Sequence, residues 1–114
     1  MEQLAPSEAV RLANLGAVVA IRSSINGALT GLSIINNQAA AIFVQLFDVA
    51  TAGAVTLGTT VPTFEFNVAA SVSLAPPLGA GGMRFRNGLQ IASSTTEGGA
   101  TPSAAGVFVF ALVT

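Results

Sequence analysis

With 114 residues, the chain has room for one domain with a modest core, and only 8% of it is charged, against roughly 25% in an ordinary soluble domain. It contains no Lys, His, Cys, Tyr or Trp. That argues against Ser-His and Ser-Lys nucleophile relays, thiolate chemistry, disulfides and thiol metal ligands. The formal net charge is −1, and the only cations are Arg11, Arg22, Arg84 and Arg86, too few for a phosphate-tracking surface, so nucleic acid is not expected as a partner.

Mean hydropathy is nevertheless +0.73, with much of the apolar content in small residues. A free monomer is expected to carry more surface charge. The simplest account is that much of the surface faces other subunits. No membrane contact is expected: no apolar run approaches the ~18 residues of a spanning helix. The strands are too short for a transmembrane barrel. The start, MEQLAPSEAV, carries two acids before its first Arg and does not read as a secretory signal.

Residues 1–15 read as an N-terminal arm, and 16–114 as a single sandwich domain. In the arm, Pro6-Ser7-Glu8 suits the head of a short helical turn running through Leu12. The alternative is an extended arm that reaches a neighbouring subunit. Gly16–Ser24 reads as the first strand. Asn26-Gly27 follows, a pair suited to a tight turn, so the next strand, Ala28–Ile35, is expected to pair back antiparallel. Ala39–Asp48 (AAAIFVQLFD) is the most strongly patterned stretch. Ile42, Val44 and Leu46 alternate with Phe43, Gln45 and Phe47, which predicts a central strand covered on both faces.

Val49–Pro62 reads as a loop of small residues, with brief edge pairing at Val55–Leu57. Thr63–Val68 alternates, with Phe64, Phe66 and Val68 inward; Ser71–Leu74 alternates too, and Pro76-Pro77 ends it. Met83–Phe85 and Leu89–Ala92 flank Asn87-Gly88, as a hairpin or as one strand bent at Gly88, the bend being preferred. Ser93–Ser103 reads as an exposed polar loop. Ala105–Val113 is apolar on both faces, Phe108, Phe110 and Leu112 on one, and Val107, Val109, Ala111 and Val113 on the other. About seven or eight short strands with turns between them predict an all-β fold, an antiparallel β-sandwich or jelly roll.

No constellation of residues carries chemistry. Asp48, Glu65 and Glu97 read as ordinary surface acids rather than a glycosidase pair. A calcium site from Asp48 with Asn36, Asn37 and Gln38 is conceivable but poor in charge. LGAGG at Leu78–Gly82 lacks the ending and helix of a phosphate cradle. No catalytic residue, metal or cofactor is expected. A glycan-binding module would want an exposed Trp or Tyr, and the chain has neither.

Several stretches resemble small β-sandwich structural proteins of tailed bacteriophages: Ala41–Asp48 (AIFVQLFD), Gly53–Pro62 (GAVTLGTTVP), Thr63–Val68, Gly81–Ile91 (GGMRFRNGLQI), Ser93–Gly99 and Ala105–Val113. The resemblance implies a virion component assembled in the bacterial cytoplasm. The leading expectation is a head decoration or cement subunit, with a neck, tail or fibre part as the alternative. It implies self-association, as a trimer or other small ring, and docking on the major capsid protein or another virion protein. The expected interface, chosen on geometry, comprises Leu4, Val10 and Leu12 of the arm, the Arg84/Arg86 pair, and Val107, Phe108, Val109 and Phe110 of the last strand. Arg84 and Arg86 are otherwise expected to pair with Glu65, Asp48 or a neighbour's carboxylate.

Overall fold

The computed structural model describes residues 8–114. Among them are nine strands: β1 (Glu8–Leu12), β2 (Val19–Arg22), β3 (Gly27–Asn36), β4 (Ile42–Phe47), β5 (Phe64–Val68), β6 (Ser73–Leu74), β7 (Met83–Phe85), β8 (Leu89–Ser94) and β9 (Val107–Val113). They form two sheets in which every pairing is antiparallel. Sheet A runs β1-β9-β3-β6, with β7 also on β3; sheet B runs β2-β8-β4-β5. The two sheets pack as a sandwich.

Alternation decides what lies between the sheets. From sheet B come Ile42, Val44 and Leu46, all fully buried, with Leu89 and Ile91; from sheet A come Leu29, Leu32, Ile34, Val107, Val109, Ala111 and Val113. Each of these Val, Leu and Ile side chains contributes about 1.5–3 kcal/mol on burial. β4 lies between β8 and β5, as its two-faced pattern leads one to expect.

The chain changes sheet at most of its turns, and this overturns one local expectation and decides between the alternatives of another. β2 does not pair with β3: it pairs with β8, while β3 pairs with β9, β7 and β6. The turn around Asn26-Gly27 therefore carries the chain across the sandwich. Its left-handed residue is Ser24, with φ 55°, so the two central positions of a hairpin turn are not formed. Likewise, β7 belongs to sheet A and β8 to sheet B. The link between them is a bend rather than a hairpin. Gly88, φ 153°, sits at this crossing, where an added Cβ would lie 2.6 Å from Val49 O and 2.9 Å from Arg22 O. The Asp48 carboxylate accepts the N–H groups of Arg86 (3.0 Å) and Asn87 (2.9 Å) and pins the crossing.

Glu8–Leu12, read in the sequence as part of the arm, is an edge strand of the sandwich paired with β9. That replaces the helical turn expected there; Pro6 and Ser7 lie outside the described residues. Val55–Leu57 makes no strand, and a short 3-10 turn at Ala52–Ala54 precedes it. In the Ser71–Leu74 stretch only Ser73 and Leu74 pair.

The stretch Ser93–Ser103 is not simply an exposed loop. β8 continues through Ser93 and Ser94, which are buried, as is Ser103. Ser103 Oγ donates to Leu15 O (3.0 Å) and lies 2.8 Å from Ser93 Oγ. The loop folds back over the outer face of sheet B. There Gln45 Nε2 donates to Ser94 Oγ (2.8 Å) and Gly99 O (3.3 Å), and Gln90 Nε2 donates to Arg22 O and Val49 O (both 3.1 Å). Both glutamines are fully buried. Sheet B is thus roofed by the chain's own loops.

Candidate assembly surface

Among the described residues nothing roofs sheet A in this way. The side of β9 that points away from the core carries Phe108, Phe110 and Leu112, and the facing β3 positions are Ile35, Ser33 and Gly31. β1 adds Ala9 opposite Leu112 and Arg11 opposite Phe110. Phe110 is 40% exposed and Leu112 45%. A shallow apolar hollow lies between them and Gly31, because glycine leaves the neighbouring strand bare. Arg11 is the charged group of this patch, and its guanidinium stands 5.4 Å from the centroid of the Phe110 ring, within cation–π range.

The residues singled out in the sequence do not lie on one surface. Phe108 and Phe110 lie on this outer face. Val107 and Val109 do not: both are fully buried against the opposite sheet, which corrects their assignment to an interface. Their period-two position in β9 sends them inward, and the core needs that whole side of the strand. Val10 and Leu12 are half-buried against the same core at the edge of sheet A; Leu4 lies outside the described residues.

Arg84 and Arg86 are exposed around an open cleft near Asn26, Asp48 and Phe85. Their expected pairing with Asp48 or Glu65 is not made. Asp48 is engaged by backbone N–H groups, and Glu65 Oε2 accepts Gly98 N–H at 2.8 Å. The ion pair among the described residues is Arg22 Nη2 to Glu8 Oε2, 3.3 Å.

The structure also separates the possible calcium donors. Asn36 is buried at the end of β3, with Nδ2 on the carbonyls of Ala40, Val68 and Ala69, while Asp48 follows the far end of β4. Among the described residues no three acidic, His or Cys side chains gather in metal-binding geometry, and no helix is long and apolar enough to cross a membrane.

Leu112, Ile35, Gly31 and Ala9 belong to the exposed patch but were not singled out in sequence. Leu112 was legible as a partner of Phe110 at period two. Ile35, Gly31 and Ala9 enter only through strand pairing. Phe64 was expected inward and is 46% exposed, because β5 is the edge of sheet B and sheet A beside it is broken into the short β6 and β7.

Comparison with protein-family models, with curated proteins and with solved structures finds no match to this chain.

Proposed function

We propose that this chain is a non-enzymatic structural protein of a tailed-phage virion, a capsid decoration subunit that associates with copies of itself and docks on the head. The observation that carries the reading is the bare apolar face of sheet A, centred on Phe110 and Leu112, in a chain with 8% charge. The opposite sheet is roofed by loops, so the asymmetry gives the molecule one face that water covers poorly.

The finer fold assignment, a jelly roll, rests on strand order. Sheet A, β1-β9-β3-β6/β7, faces sheet B, β2-β8-β4-β5, which fits two Greek keys wound together. Capsid domains commonly use that architecture, as do lectins. A fold alone does not assign a role; the exposed face and the scarcity of charge favour assembly. The docking partner on this reading is the major capsid protein or another virion protein.

The test is electron microscopy of virions with and without the protein, alongside light scattering of the purified chain. Extra density spread over the head, and an oligomer in solution, support the proposal. Normal, equally stable particles with no density difference reject it. Density confined to the neck, tail or fibre would move the protein there.

A further inference from the structure

A second surface feature lies at the opposite edge of the sandwich from β1. Between β5 and the segment leading into β7 is a groove of about 340 Å³. Its walls are Phe64, Phe66, Leu78 and Met83, and Arg84 stands at its lip. Phe64 is 46% exposed there. Among the described residues Arg84 has no carboxylate within ion-pair distance. The side chains that line the groove are therefore apolar except for Arg84, which makes it positive at one point.

We propose that this groove receives residues 1–7 of a second copy of the chain, with Leu4 against Phe64, Phe66 and Leu78 and Glu2 at Arg84. The segment reads Met-Glu-Gln-Leu-Ala-Pro-Ser. In an extended chain, residues two apart project to the same side, so Glu2 and Leu4 present one acid and one aliphatic group together. That is the complement of the groove.

The chain's own segment is badly placed to fill it. Glu8, Val113, Leu29 and Met83 stand in one row across sheet A. Three strand spacings separate the ends of that row, about 14 Å. Four residues back from Glu8, Leu4 reaches at most about 14 Å. The direct line is taken up by β9 and β3 themselves, and the groove lies beyond Met83 towards sheet B. A path round them exceeds the reach, whereas a neighbouring copy has no such limit. This inference rests on the self-association proposed above, but it concerns a different surface from the face of sheet A.

The absence of cysteine makes the test direct. Leu4→Cys and Phe64→Cys are prepared as separate full-length proteins, mixed and oxidised, and the double variant is oxidised in parallel. A disulfide-linked dimer from the mixed single variants is expected. An Arg84→Glu change should lower its yield by up to about fivefold, the range of an exposed ion pair, and Glu2→Arg in the partner should restore it. A cross-link found only within single chains of the double variant would overturn the proposal. So would an oligomer that forms normally yet gives no cross-link, and that result would leave the decoration reading standing. A strictly monomeric protein would remove both.

Discussion

The side-chain amide of Asn36, in sheet A, donates to the carbonyl of Val68, in sheet B, over 3.2 Å. The same Nδ2 lies 3.0 Å from both Ala40 O and Ala69 O, and Oδ1 accepts the N–H of Gln38 at 2.9 Å. One buried amide thus ties the end of β3 to both the start of β4 and the end of β5. Removing it leaves the buried carbonyl of Val68 without its donor. Asn36→Ala and Asn36→Leu are each expected to cost about 1–3 kcal/mol. Urea titration should show a lower midpoint with an unchanged slope. A loss below about 0.5 kcal/mol would show that solvent satisfies these groups.

Asn36 also shows where sequence reading stops. Alternation separated the two faces of β4 and of β9, because period two is fixed by the pleat whatever the partner. It did not say which strand lies beside which. Here consecutive strands mostly belong to opposite sheets, and among them only β4 and β5 are directly paired. The local hairpin signal at Asn26-Gly27 therefore pointed to the wrong neighbour. The same limit produced the error at Val107 and Val109. Both sides of β9 are apolar, and only the arrangement of the other sheet shows which one is core. Asn36 itself stood out in the sequence only as a conceivable calcium donor, and its burial follows from tertiary packing.

Gly88 offers a test of the crossing between sheets. Its φ of 153° is a conformation that L side chains rarely adopt, and a Cβ would stand 2.6 Å from Val49 O. The atoms it would meet, Val49 O, Arg22 O and Ala50 Cα, are all backbone, so none can swing aside. Gly88→Ala is expected to destabilise the fold by at least about 2 kcal/mol, read as a drop in thermal midpoint. Gly53→Ala, where nothing lies within 4 Å of the added Cβ, should change it little. Equal midpoints for the two variants would refute the strain argument.

The Glu8–Arg22 pair links the β1 edge of sheet A to the β2 edge of sheet B. Its side chains are 59% and 22% exposed, so water and salt screen it strongly. Glu8→Gln is expected to cost less than about 1 kcal/mol. The cost should shrink further as ionic strength rises. Chemical denaturation of both proteins in urea, at low and at high salt, checks this. A larger, salt-independent loss would mean that Glu8 matters to β1 for another reason.

Neighbouring residues of β9 separate folding from assembly. Val109 is fully buried between the sheets, while Phe110 is 40% exposed on the outer face. Val109→Asp places a carboxylate in the core with no cation beside it. The cost, about 3–5 kcal/mol, is a large part of the ~5–15 kcal/mol that holds a small domain together. Lost or weakened cooperative unfolding is expected. Phe110→Asp puts the same charge on the bare face, where water solvates it and Arg11 stands nearby. Its effect on folding should stay within about 1 kcal/mol, with circular dichroism unchanged. If sheet A is where copies meet, light scattering over a dilution series should show Phe110→Asp, and likewise Leu112→Asp, dissociating at concentrations where the parent chain remains assembled. Folded variants that keep the parent's oligomeric state would move the interface off this face.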